Sequence, residues 1–370
     1  VSNRNSLKRN ELLRKTPAWS GFYLHFTGGF YASMISKGLW DIGPILYEGR
    51  PAISGSYSMG EVQAIARRSS FRALGFQQSG IIDGSYYSSW IPVMDGKNNH
   101  SESPVMLWGN IASHLLKERK ERFSDSRLCA DDIDMEKIFD SRGGIEALAH
   151  FIRLSLESMD ITVEALASYY NEQLLNGMFD GRVSGERSDN TQSRLLYANI
   201  HAFFVHIGAA RDYLAKFIAL RNHNISNKCD SMVKLVRSLS VESFPDDAML
   251  KFLLDSKCII RSSSGKGDFE FSGWLKDLSS LRNKFIHREP FGTRSSEMFG
   301  SVKPASLEDN TMRYFRNVEI EGQDEVDVLD LVARIYTFGS YLFHEMARLS
   351  GLNSSVQTLT DKDLVSLRIS

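Results

Sequence analysis

The stretch RLLYANIHAFFVHIGAARDYLAKFIALR, residues 194–221, sets the expected fold class. Leu196, Ile200, Phe203, Ile207, Ala210, Leu214, Phe217 and Ile218 recur at three- and four-residue intervals, so an α-helix gathers them into one apolar stripe. At 1.5 Å per residue such a helix extends about 42 Å. A stripe of that length needs other helices to cover it.

Toward the C-terminus, helical patterns cover Asp230–Leu239 and Asp246–Ile259, with Pro245 between them. A further helix is expected over Phe271–Glu289, where Trp274, Leu275, Leu278, Leu281, Phe285 and Ile286 are apolar and Pro290 stops the run. A polar insertion (Phe291–Asn310), a short strand-like segment (Arg313–Ile320) and a long apolar helix (Glu325–Leu349) follow. Residues 191–370 therefore read as a helical bundle closed by the last helix.

Toward the N-terminus, Asn176–Ser193 is rich in Gly, Ser, Asp, Arg and Asn, the composition of an exposed connection, and marks a domain boundary. Before it lie expected helices at Ile145–Ser158 and Val163–Leu175, the second capped by Thr162. Earlier still come a helix at Val105–Phe123, whose Lys117–Arg122 run is a solvated charged face, a strand at Tyr86–Val93 and a helix at Glu61–Phe76. Aromatics and glycines between Trp19 and Gly60 suit short strands and turns, and Gly28-Gly29 lacks the context of a phosphate loop. Residues 16–190 thus form a mixed, helix-rich N-terminal region, and residues 1–15 (Arg4, Lys8, Arg9, Arg14, Lys15) a basic tail. The expected fold class is mainly α.

The 44 basic and 45 acidic residues nearly cancel, so any contact with nucleic acid rests on a local patch rather than on a global field. Cys129, Cys229 and Cys258 are far apart and form no C-x-x-C, which points to a reducing compartment with inert thiols and to a cytoplasmic protein. No apolar run is long enough for a membrane span. His201 and His206, five apart on the long helix, have no acidic partner in metal-ligand spacing, and no metal or other cofactor is expected. The sequence lacks G-x-S-x-G, H-E-x-x-H and EF-hand loops, so hydrolase triads, zincins and EF-hands have no support.

The chemistry concentrates in Leu281-Arg282-Asn283-Lys284-Phe285-Ile286-His287. On an ideal α-helix Arg282 falls within the apolar stripe of Leu278, Phe285 and Ile286, while Asn283 and His287, four apart, share another face. A guanidinium on an apolar seam is costly without a partner, so Arg282 should face an interhelical cleft or a dimer interface.

Arg282, Asn283 and His287, with Gly208–Phe217 upstream as a first long helix, resemble the HEPN superfamily over roughly residues 194–350. Ribonuclease members of that family carry Arg, four to six residues, then His, often with a polar residue right after the Arg. Here Pro290 and the insertion interrupt a motif helix that many members continue. The resemblance implies a metal-independent endoribonuclease that cleaves RNA through its 2′-hydroxyl, a homodimer pairing two motifs, and a toxin or antiviral-defence setting with a regulatory partner or trigger, in which residues 16–190 would be the sensor or regulatory region. It assigns proton transfer to His287, charge stabilisation to Arg282 and orientation to Asn283, and Lys284 and Arg288 would bind the RNA backbone. Two alternatives are a non-catalytic HEPN-like dimerisation or partner-binding protein, in which Arg282 pairs with a buried carboxylate and His287 caps the helix, and an antitoxin-linked domain silenced by modification.

Overall fold

A computed structural model describes residues 20–82, 85–94, 102–125, 143–222, 225, 228–262, 267–320, 322–323 and 325–356. The basic tail and Cys129 lie outside them. In chain order the elements are β1 (Ser20–Phe26), β2 (Tyr31–Ser36), β3 (Leu39–Tyr47), β4 (Arg50–Tyr57), α1 (Met59–Arg68), β5 (Ala73–Ile82), β6 (Ser85–Pro92), α2 (Pro104–Asp125), α3 (Gly144–Phe179), β7 (Arg187–Ser188) and α4 (Ser193–Arg221). They continue with α5 (Met232–Ser238), α6 (Ala248–Asp255), β8 (Ile259–Arg261), β9 (Phe269–Phe271), α7 (Gly273–Arg282), a π-turn (Asn283–Arg288), α8 (Ser295–Met298), β10 (Gly300–Ser306), β11 (Thr311–Val318), β12 (Val326–Asp327) and α9 (Val328–Leu349).

The described chain divides into two compact units, each discontinuous in sequence. The first takes residues from Val1–Asn98, Met159–Phe204 and Asn283–Phe338, the second from Asn99–Ser158, Val205–Arg282 and Gly339–Ser370.

The first unit is built on a ten-stranded antiparallel sheet in the order β6-β5-β1-β2-β3-β11-β10-β7, with β4 paired to β3 and β12 to β11. This sheet corrects the expectation of a mainly α chain: the fold is mixed α/β, with a large curled sheet beside about 52% helix. Strands from the second half, β10 to β12, complete a sheet begun near the N-terminus, and Thr311 of β11 pairs with Ile45 of β3. The segment containing β10 reads as polar because an antiparallel strand with one wet face needs apolar residues only at alternate positions. In β10 that requirement reduces to Gly300 and Val302, both buried, and in β11 to the alternation of Met312, Tyr314, Arg316 and Val318.

Beneath the sheet, Leu24, Phe26, Phe30, Trp40 and Ile42 pack with Val62, Ile65 and Ala66 of α1. Ser58 and Glu61 form a capping box that starts α1, which ends at Arg68 rather than running to Phe76. Gly28 and Gly29 make a turn, as expected: Gly29 has φ +88, and a Cβ there would lie 2.5 Å from the Tyr170 carbonyl oxygen. The close approach is held by Asn171, whose Nδ2 donates to the Gly29 carbonyl at 2.8 Å.

Behind β11 sits a buried polar cluster. Arg316, with no exposed surface, donates from Nε to the Glu297 carbonyl (2.8 Å), from Nη2 to the Tyr197 hydroxyl (2.6 Å) and from Nη1 to the Tyr314 hydroxyl (3.4 Å). Asp327 accepts from the backbone N–H groups of Arg316, Leu329 and Asp330, so one carboxylate secures β11 and starts α9. Burial, followed by the charge of Asp330, pushes the Asp327 carboxyl up to about 7 despite Arg313 and those N–H donors.

The second unit is helical, with a small β8–β9 hairpin. Trp108 of α2 meets the Phe217 ring edge-on at 5.0 Å and donates its indole N–H to the Phe343 carbonyl at 3.0 Å. The expected break between two helices near residue 160 is absent: α3 runs 36 residues, and Thr162 is buried within it instead of capping a helix. Nothing between Ser158 and Val163 is a Gly or Pro, so propagation costs little. The expected Phe271–Glu289 helix is shorter, because Phe271 belongs to β9 and the regular helix ends at Arg282. Cys229 and Cys258 are free, buried thiols, both pushed up in pKa by burial. No helix among the described residues is long and apolar enough to cross a membrane.

Candidate functional site

The motif does not continue α7 as an α-helix. Asn283–Arg288 is wound as a π-turn, in which the Glu289 N–H reaches back five residues to the Lys284 carbonyl at 2.7 Å. Single π-turns are uncommon and concentrate at functional positions. The wider winding takes Asn283–Arg288 off the α-helical register of α7.

Arg282 is the last residue of the helical unit. Its side chain lies over Gly208 of α4, where a Cβ would come within 2.3 Å of Nε. Nε is buried and has no hydrogen-bond partner among the described residues. Nearby on α4, Arg211 is 4% exposed, donates from Nη1 to Ser279 Oγ at 2.9 Å and pairs through Nη2 with Asp212 at 3.1 Å. Burial, with a contribution from the Arg282 charge, lowers the Arg211 pKa against the opposing effect of Asp212. Arg282 itself forms no ion pair with a carboxylate among the described residues, in contrast to the arrangement expected of a purely structural arginine. One cation is compensated, and its neighbour is left with an open donor.

Asn283, Lys284, His287 and Arg288 belong to the sheet-based unit. Asn283, His287 and Arg288 are exposed. Lys284 is engaged within the protein, donating from Nζ to the Glu319 carbonyl at 2.6 Å and lying 5.2 Å from the Phe285 ring centroid. Arg294 makes a two-pronged contact with Glu289 (2.6 and 2.7 Å) and also binds Glu319. Its hydrogen bonds hold Glu289 below the usual carboxylate range, while Ser296 first and then Arg294 do so for Glu319. The segment after the motif is thereby tied down despite Pro290.

Beside the turn is a cavity of about 490 Å³ lined by Tyr197, His201, Phe285, Pro290 and Phe291. Tyr197 and Phe291 meet edge-on at 5.8 Å, and Phe285 packs 6.1 Å from Phe291. The sequence signal for this lining was incomplete. Tyr197 and His201 share a face of the long helix by their spacing, but Phe291 begins the segment that reads as a polar insertion. His206 stands apart in the helical unit, with its pKa lowered by burial. No group of three His, Cys, Asp or Glu among the described residues is placed to hold a metal ion.

No family model, curated protein or solved structure matches the chain.

Proposed function

We propose that the protein is an endoribonuclease with HEPN-type chemistry, acting as a cytoplasmic homodimer that brings two copies of the Arg282–His287 segment to one RNA phosphate. The observation that carries this reading is the combination within the motif: an exposed His287 in a π-turn that directly follows an arginine whose buried Nε has no partner among the described residues.

In the reaction the RNA 2′-oxygen bonds to the adjacent phosphorus and the bond from phosphorus to the 5′-oxygen breaks. One imidazole accepts the 2′-hydroxyl proton, and the imidazolium of the second copy donates a proton to the leaving 5′-oxygen. The products are a 2′,3′-cyclic phosphate and a 5′-hydroxyl. Imidazole suits both tasks because its ring nitrogens can accept or donate a proton. Arg282 stabilises the charge gathering on the non-bridging phosphoryl oxygens, and Asn283 orients the phosphate. Arg288, exposed on the turn, provides a contact to the RNA backbone, whereas Lys284 serves the fold through Glu319. The setting is a toxin or an antiviral-defence effector in which a trigger or partner regulates cleavage.

The test is incubation of mixed RNA with the purified protein in EDTA. Cyclic-phosphate ends from the parent chain, with at least about a hundredfold loss in both Arg282→Ala and His287→Ala, are expected. Equal activity in all three proteins would overturn the assignment. Dimerisation without cleavage, under conditions in which the regulatory partner is supplied, would favour the non-catalytic binding protein.

A further inference from the structure

A second cleft, within the sheet-based unit, is formed by the end of α1, the start of β5, the end of β6 and α9. It encloses about 430 Å³, inside the range of roughly 300–1,000 Å³ common to small-molecule sites. Three of its lining side chains are arginines, Arg67, Arg72 and Arg334, and no carboxylate lines it among the described residues. None of the three takes part in an ion pair among those residues. The adjacent Arg68 shows the ordinary alternative: its Nε donates to Asp309 at 2.9 Å and it also meets Glu308.

Three like charges around one cleft repel each other, and the repulsion falls when an anion sits between them. Arginine suits phosphate because its planar donors engage two oxygens at once. The cleft is also anchored. The Arg72 backbone is pinned on both sides of its peptide, its N–H donating to Thr27 Oγ1 at 3.1 Å and its carbonyl accepting from the Thr27 N–H at 2.9 Å. The rest of the lining is of another kind: Phe71, Val93 and Met94 provide apolar surface, and Phe338, 42% exposed, presents an aromatic ring. Gln63 and Thr337 add an amide and a hydroxyl capable of both donating and accepting. A ligand matching this set combines an anionic phosphate with a planar, edge-polar ring.

We infer that this cleft binds a free mononucleotide, with the phosphate on Arg67, Arg72 and Arg334 and the base against Phe338 and its apolar neighbours. The site owes nothing to the cleavage reading, and its test involves no RNA cleavage.

The experiment is calorimetric titration of the full chain with adenosine monophosphate, adenosine, inorganic phosphate and a short single-stranded RNA. Adenosine monophosphate should bind saturably, and adenosine and phosphate at least about tenfold more weakly, since each lacks half of the complement. Arg72→Glu and Arg334→Glu should each weaken adenosine monophosphate binding by about tenfold or more, whereas Arg50→Glu, which does not line the cleft, should not. If a charge-reversed chain fails to fold, as judged by circular dichroism, Arg72→Gln and Arg334→Gln replace it, with the same direction expected. The inference is overturned by the absence of saturable binding to the parent, by unchanged binding in the arginine variants, by inorganic phosphate binding as tightly as the nucleotide, or by RNA binding more tightly than it.

Discussion

Arg316 and Arg282 make opposite use of the same side chain. Behind β11, Arg316 is wholly buried, and its Nε and both terminal nitrogens find oxygens on Glu297, Tyr197 and Tyr314, with Asp189 3.5 Å away. At the end of α7, Arg282 is half-buried with its Nε unsatisfied, next to Arg211, whose own charge is already paired. Buried polar groups that serve the fold satisfy one another, because an orphaned donor costs about 1–3 kcal/mol. Atoms of Arg221, Arg313, Asp330 and Ser340 are likewise buried without a partner among the described residues, and Arg282 Nε is the one that lies in the motif.

The largest effect expected from this contrast is on stability at Arg316. Arg316→Ala strands two tyrosine hydroxyls and a backbone carbonyl, so urea unfolding should show a loss of about 3–5 kcal/mol or no folded protein. A loss under about 1 kcal/mol would mean that the cluster is not a structural support.

Next is the pH response of the same cluster. The Asp327 carboxyl is raised in the folded state from an ordinary unfolded value, so the folded chain holds a proton that the unfolded chain releases. The stabilisation is complete below about pH 4 and fades as pH rises through about 7, opposite in sign to a paired carboxylate. The melting temperature should fall by several degrees between pH 5 and pH 8, and Asp327→Asn should flatten that slope. A melting temperature that rises over this interval would contradict the assignment.

On the other side of the comparison, Gly208→Ala should separate structure from activity. Alanine favours the helix by up to about 1 kcal/mol, but its Cβ would stand where Arg282 Nε now packs. RNA cleavage should drop by more than about tenfold while the unfolding midpoint holds or rises. Unchanged cleavage would show that the position of Arg282 is immaterial. The smallest effect belongs to Arg282→Met, which removes an unsatisfied buried N–H and retains much of the apolar stem. Its stability should stay within about 1 kcal/mol of the parent, on the favourable side if anything.

Much of the helical framework could be read from the chain because a helix is specified locally. The stripe from Leu196 to Ile218 became α4, Ser193–Arg221, almost to the residue, and Glu325–Leu349 became α9 from Val328. Each hydrogen bond there joins residues four apart, so periodicity carries the information. The motif was equally visible as residue types, and Arg282 was expected to face a cleft or a dimer interface on an apolar seam. What escaped was its winding. A π-turn differs from an α-turn by one residue in the hydrogen-bond register, and Asn283–Arg288 carries no Gly or Pro to announce it.

The sequence by itself determined the long helices α4 and α9, the strand-and-turn character of residues 20–57 and the presence of an Arg–Asn–His constellation. Only the tertiary structure decided that β10 and β11 join strands laid down near the N-terminus, that Arg282 rests on Gly208, and that Arg67, Arg72 and Arg334 converge on one cleft. The physical reason is range: pairing β3 with β11 joins segments at opposite ends of the chain, and nothing local in either segment names its partner.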